Sequence, residues 1–153
     1  MDFFVSRFFN KIDKKGRISL PSSFRNILPK ENRNEIILYK SIKTPSIEGC
    51  GVGRIKEIAK RINNLDFFSE DYDDFSASVF SEIIPTNIDK EGRFLIPDEL
   101  KEYANIKTEA AFFGKGYYFQ IWEPANGLKN IESSRKRLLQ QKKSLRMILT
   151  KKS

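Results

Sequence analysis

The chain contains one short passage twice. Residues 12–21 read Ile-Asp-Lys-Lys-Gly-Arg-Ile-Ser-Leu-Pro, and residues 88–97 read Ile-Asp-Lys-Glu-Gly-Arg-Phe-Leu-Ile-Pro. A shift of 76 residues carries Asp13 onto Asp89, Gly16 onto Gly92, Arg17 onto Arg93 and Pro21 onto Pro97, with six identities in ten columns. The match continues more loosely, Phe24 on Leu100 and Arg25 on Lys101. A repeat must be settled before any element is assigned. Two units of about 45 residues are each too small to bury a sufficient core alone. They are expected to share one, each copy covering the other.

The local chemistry is the same in both copies. An extended run leads in, over 3–12 and again over 80–88. Asp-Lys-x-Gly is turn chemistry: the carboxylate bonds its own backbone two residues on, and glycine takes the positive φ of a tight bend. Asp13, Gly16, Asp89 and Gly92 are the turn-forming residues. Arg-Ile-Ser-Leu and Arg-Phe-Leu-Ile read as short returning strands. The following proline suits the first turn of a helix. Phe24, Ile27 and Leu28 mark a helical stripe in copy one; Leu100 and Ala104, with Tyr103 beside them, do so in copy two. A further strand follows at 35–39, and at 110–113 with 117–122, the latter a hairpin turning at Gly114-Lys115-Gly116.

The doubled Asp-x-x-Gly-Arg-(apolar)-x-(apolar)-Pro resembles the MraZ family of bacterial transcriptional regulators, which carry two SpoVT-AbrB-type DNA-binding motifs in one chain. Phe113-Gly114 followed by Gln120-Ile121-Trp122 is similar to the family's glycine and Glu-Ile-Trp, with Gln120 in place of the acid. The resemblance covers roughly residues 1–127. It implies a mainly β chain with short helices (α+β). In it, two tandem AbrB-like swapped-hairpin or double-psi β-barrel repeats are fused as a pseudo-dimer. The repeats are placed at 7–54 and 79–126, a helical spacer at 55–78 and a basic helical tail at 128–153. It further implies a ring-shaped homo-oligomer on double-stranded DNA. The targets would be short direct repeats upstream of the division and cell-wall gene cluster.

Charge is consistent with a polyanionic partner, but only locally. The net charge is +8. Residues 128–153 hold nine Lys or Arg against one acid; residues 1–127 hold 19 of each sign. The electrostatic case for the repeats therefore rests on clusters. Arg7, Lys11, Lys14, Lys15 and Arg17 stand near the first turn, and Lys90 and Arg93 near the second. Arginine's planar fork suits a guanine edge or a phosphate. The structural reading of Arg17 and Arg93 is an ion pair across the turn with Asp13 and Asp89. In the resembled family this arginine contacts DNA, which carries over to Arg17 and Arg93. Arg7, Lys11, Lys14, Lys15 and Lys90 are phosphate candidates by charge and proximity.

One cysteine and no histidine exclude an internal disulfide, a Cys/His zinc site and a Ser–His or Cys–His pair. No metal, cofactor or catalytic residue is expected. The acidic start lacks the pattern of a signal peptide, and no stretch approaches the ~18 apolar residues of a membrane span. A cytoplasmic, nucleoid-associated protein is expected.

The remaining stretches read as follows. Phe3, Phe4, Val5, Phe8 and Phe9 suggest a strand partly buried on both faces or at a subunit contact. Residues 43–53, with three glycines and Cys50, read as a flexible connector with an exposed thiol; the spacing matches no phosphate loop. Ile55, Ile58, Ala59, Ile62 and Leu65 form an amphipathic helical stripe. Glu70, Asp71, Asp73 and Asp74 read as a solvated turn or helix start rather than a calcium loop. Trp122 reads as packing. The tail from Asn130 is predicted helical, with Ile131, Leu138 and Leu145 a heptad apart among Arg135, Lys136, Arg137, Lys142, Lys143 and Arg146. It admits three readings: an interaction tail, a non-specific DNA contact, or a membrane-surface helix. The other class of function open to the whole chain is an AbrB-fold protein-binding or antitoxin-like oligomerisation module.

Overall fold

A computed structural model describes residues 2–142 and 144–150. The chain is mixed α+β, and its strands are exchanged between the two copies. Copy one supplies β1 (Arg7–Lys11), β2 (Arg17–Ser19), α1 (Ser22–Arg25), β3 (Glu35–Lys40) and β4 (Ile47–Cys50). The spacer follows as α2 (Val52–Asn63) and α3 (Glu70–Val79). Copy two supplies β5 (Ile84–Asn87), β6 (Arg93–Leu95), α4 (Asp98–Ala104), β7 (Glu109–Gly114) and β8 (Phe119–Trp122). The chain continues through α5 (Pro124–Gln140) and α6 (Leu145–Thr150).

Six strands form one antiparallel sheet in the order β1-β7-β8-β4-β3-β5, and β2 and β6 form a separate ribbon. β1 pairs with β7 and β5 with β3, so each lead-in strand lies against the other copy. β3 pairs with β4 and β7 with β8 inside their own copies. β2 pairs with β6 and β4 with β8, strand against equivalent strand. Exchanging the copies maps this pattern onto itself. The pseudo-two-fold passes through Ile18·Phe94 in the ribbon and Glu48·Gln120 at the middle of the sheet.

Strand alternation gives the sheet two faces. One carries Ile36, Leu38, Ile47, Ala110, Phe112, Phe119 and Ile121, packed against Ile18 and Phe94 of the ribbon and Phe24 and Leu100 of α1 and α4. Phe24 is its centre, with Phe4, Phe8 and Phe119 rings 5.2–5.5 Å away. Both copies thus contribute to one core. The opposite face carries Ile37, Tyr39 and Cys50, which Val52 and Ile55 of α2 cover. Its other half is Ala111, Phe113 and Trp122. There α5 packs so closely that a Cβ on Gly127 would collide with Phe113 and Trp122. α2 follows β4 as α5 follows β8, so the two helices are equivalents. The repeat therefore extends one element further than its sequence match.

Several expectations are corrected. Residues 43–53 are an ordered hairpin arm and helix start. Gly49 takes part in the β4·β8 pairing opposite Phe119. Ser41 Oγ accepts from the Lys43 and Thr44 amides, and the Tyr103 hydroxyl donates to the Ser41 carbonyl at 2.6 Å. Cys50 is fully buried rather than exposed, and desolvation pushes its thiol up to about 12. The lead-in strands are shorter than the extended runs suggested. Ser6 breaks the first with φ 71°, and a 3-10 turn, Phe80–Glu82, replaces the start of the second. Pro21 and Pro97 precede their helices by one residue, with ψ of 134° and 138°. The tail helix starts at Pro124 and stops at Gln140, and α6 is a separate piece. Lys143 and residues 151–153 of the expected tail lie outside the described residues.

Other expectations stand. The 55–65 stripe lies on α2 and its continuation, with Ile62 buried. The acidic cluster starts α3, where the Ser69 hydroxyl accepts from the Tyr72 amide, and acids in a first turn complement the helix dipole. Trp122 is buried.

Gly49 faces Phe119 across β4 and β8 so closely that a Cβ would lie inside van der Waals contact of the ring. Phe119 is fully buried and cannot swing away. Gly49→Ala is expected to destabilise the fold by about 1–3 kcal/mol, the usual cost of overpacking. A lower urea midpoint at unchanged slope would show it.

Candidate nucleic-acid interface

The two turns are built alike. In the first, Asp13 Oδ1 accepts from the Lys15 amide at 2.9 Å and the Arg17 amide at 2.8 Å, while Oδ2 accepts from Arg17 Nε at 3.0 Å. Gly16 sits at φ 84°, which an L side chain rarely adopts. In the second, Asp89 Oδ1 accepts from the Glu91 amide at 2.9 Å and the Arg93 amide at 3.0 Å, Oδ2 from Arg93 Nε at 3.3 Å, and Gly92 sits at φ 82°. Each aspartate therefore closes the bend and grips the stem side of its arginine together. The two readings of the arginine, structural pair and outward donor, are compatible. Nε serves the turn, and the terminal nitrogens project beyond it.

Register places these arginines on one face. Cross-strand partners point to the same side. Arg17 stands opposite Leu95, and Ser19 opposite Arg93. Between them Ile18 and Phe94 point the other way, into the core. Arg17 and Arg93 are thus diagonal neighbours on the outer face, with Cα atoms roughly 7–8 Å apart by antiparallel geometry. Both side chains are about three-quarters covered, 29% and 27% exposed. Both line the same shallow depression with Asn87, Asp89 and Leu95.

The turns differ in charge. Copy one has Lys15 where copy two has Glu91. The Glu91 carboxylate pairs with Arg93 Nη2, whereas among the described residues the Arg17 terminal nitrogens have no ion-pair partner. Arg25 partly offsets this. Its guanidinium lies over the second turn, where a Cβ on Gly92 would collide with it. Sequence reasoning passed over Arg25 as a candidate. The signal was its alignment with Lys101, a basic residue kept in both copies.

Lys14, Lys15 and Lys90 are exposed on the turns, and Lys11 is exposed at the end of β1 that leads into the first. Arg7 is not with them. It opens β1, four residues before Lys11, and lines a hollow with Lys115, Trp122 and Ile131. Among the described residues no group of acidic or cysteine side chains is placed to hold a metal ion, and no helix is long and apolar enough to cross a membrane.

The fold and turns define a class: a duplicated, strand-exchanged β protein that displays paired arginine turns across a pseudo-two-fold. Known proteins narrow it. Residues 79–150 match the family model "MraZ protein, putative antitoxin-like". A Rickettsia akari (strain Hartford) protein named transcriptional regulator MraZ is 38% identical over 146 residues, covering 95% of this chain and 98% of that one. The protein of that name from Rickettsia bellii (strain OSU 85-389) is 40% identical over 147 residues with the same coverage. The chain belongs to the MraZ family.

Backbone amide and guanidinium donors hold the Asp13 and Asp89 carboxyls below the usual carboxylate value of 3.8. A folded-state pKa below the unfolded one stabilises the fold above the unfolded value, and that contribution is lost as pH falls through the folded one. Stability is therefore expected to be insensitive to these groups from neutral pH down to about 4 and to fall below it. The Asp13→Asn, Asp89→Asn double variant should be less stable at pH 7 and show a shallower acid decline. Denaturation at stepped pH checks this, and an equal loss at every pH would count against it.

Proposed function

We propose that this chain is a sequence-specific DNA-binding transcriptional regulator, acting as a repressor, whose reading elements are the two turns. The observation that carries this is the placement of Arg17 and Arg93 on one outer face with their stems fixed by aspartate. A fixed planar donor loses less freedom on binding a guanine edge or a phosphate. Leu95 and Ser19 share the face and offer an apolar and a hydroxyl contact. Lys11, Lys14, Lys15, Lys90 and Arg25 surround it and supply phosphate contacts. The relatives' name, transcriptional regulator, agrees with this use.

Two arginines this close meet only a few base pairs, too short a word for selection within a genome at ~1–3 kcal/mol per pair. We therefore take the acting form to be a homo-oligomeric ring that engages several short direct repeats at once, multiplying weak contacts by avidity. Its site would be upstream of the division and cell-wall gene cluster, and the protein would lie with the nucleoid in the cytoplasm.

Mobility shifts on the protein's own upstream region test the reading. Arg17→Ala and Arg93→Ala should each weaken specific binding more than tenfold with the circular dichroism spectrum unchanged. Unchanged shifts would move the assignment to a protein-binding module. Because Glu91 competes for Arg93, Glu91→Gln should strengthen binding by about two- to fivefold, the scale of one exposed ion pair. A weakening would show that the pair orients the arginine instead of occupying it.

A further inference from the structure

Two exposed surfaces have no partner within the chain. The first is the arm that α5 and α6 make. α5 leaves the sheet beyond Ile131, and the backbone breaks after Gln140, where Lys142 takes φ 53°. Between α5 and α6 lies a groove of about 890 Å³, lined by Leu138, Leu139, Leu145, Met147 and Ile148. Leu139 and Leu145 are 69% and 77% exposed. The rim is cationic: Arg135, Lys136, Arg137, Lys142 and Arg146 are exposed, and no acid occurs from 133 to 153.

The second is the tip of the spacer, between α2 and α3. Phe68 is 89% and Phe67 65% exposed, the most exposed phenylalanines described. They are not loose. Phe67 packs edge-on against Phe68 at 5.3 Å and against Tyr72 at 5.1 Å. Asp66 accepts from the Phe68 amide at 3.0 Å, and the Ser69 hydroxyl donates to the Asp66 carbonyl at 2.6 Å. The rim here is anionic. Asp66, Glu70, Asp71, Asp73 and Asp74 are exposed, and no Lys or Arg occurs from 62 to 89.

We propose that the arm of one copy grips the Phe67–Phe68 tip of a second copy of this chain. One contact covers both apolar surfaces and pairs their opposite rims. Methionine and leucine walls suit a rigid aromatic knob. The alternatives each leave something uncovered. DNA would answer the arm's charge and leave its groove in water. A lipid surface would fill the groove, leave the tip bare and repel the acidic spacer. Arm against arm would set like charges together. Because arm and tip are different surfaces, the contact is head-to-tail, and each copy still has one of each to offer until the assembly closes. The inference rests on the assembly part of the proposed function and is independent of the DNA part.

Light scattering on the full chain tests it, with charge and apolar variants at exposed positions. Wild type should have a mass several times 17.8 kDa. Phe67→Ser with Phe68→Ser, or Leu145→Ser with Ile148→Ser, should weaken association more than tenfold and bring the mass toward one chain. Asp71→Lys with Asp74→Lys should do the same, as should Arg135→Glu with Arg146→Glu, and the four changes together should restore assembly. Circular dichroism confirms that each variant is folded. A monomeric wild type overturns both this docking and the ring. An assembled mass that no variant lowers overturns the docking alone, as does failure of the fourfold reversal to restore it. If the arm variants leave the mass unchanged but lose phosphatidylglycerol-vesicle binding, or flatten the salt dependence of DNA binding, the arm's occupant is lipid or DNA and the docking is overturned.

Discussion

The pairing of Ile18 with Phe94 is the contact on which the rest depends. Each copy sends out a strand of three residues after its turn, too short to be stable alone. β2 does not return along β1; it lies on β6. The exchange meets the backbone hydrogen bonds of both short strands at once and drives two large side chains into the core beside Phe24 and Phe112. The same pairing decides what faces out. With Ile18 and Phe94 inward, period-two alternation leaves Arg17, Ser19, Arg93 and Leu95 no direction but solvent. Core and reading face are thus fixed by one register. A slip of one residue would bury two guanidinium groups and expose two apolar side chains.

The symmetry axis meets the sheet again at Glu48·Gln120, and there strict symmetry would be costly. Both side chains lie on the α2/α5 face, with Gln120 buried and Glu48 partly so. Two carboxylates facing one another would repel. With glutamine in copy two, Gln120 Oε1 accepts from the Trp122 indole at 2.9 Å and Nε2 donates to Glu48 at 3.4 Å. The glutamine that departs from the family's acid in the resemblance has this neighbour as its physical reason. Asymmetry in the turns is of the same kind: Lys15 and Glu91 make the first turn the more cationic, while Arg25 returns charge to the second. A single fused chain can vary its halves separately, as a true two-chain dimer cannot.

Sequence order revealed what was local. Asp-Lys-x-Gly fixed its turns because carboxylate and glycine act within four residues, and the α2 stripe was readable because its period repeats. The strand at 47–50 was hidden. Its two glycines and cysteine look like a connector, and only Phe119, seventy residues on, explains why Gly49 must lack a side chain. Cys50 was misread for the same reason, since its burial comes from β3 and α2 rather than its neighbours. Arg7 was grouped with the turn by sequence distance, but a strand carries charge away along its length, about 3.3 Å per residue. Arg25 was the converse, distant in sequence from the second turn and lying on it. The equivalence of α2 and α5 left no trace in identities, because helices covering a sheet need only an apolar stripe.

That equivalence divides the labour of the molecule. The ribbon and its arginines lie on one face of the six-stranded sheet; α2 and α5 lie on the other. Whatever extends from those helices projects on the side away from the reading face. The extensions, α3 after α2 and α6 after α5, are where the two copies have diverged most. One became acidic with fixed aromatic rings, the other basic with an aliphatic groove. Had they stayed alike, like charges would have kept neighbouring chains apart. Divergence to opposite sign gives one chain both halves of a contact, and the sheet between keeps that contact clear of the ribbon. A module that reads only a few base pairs can then be multiplied without burying any part of its reading face.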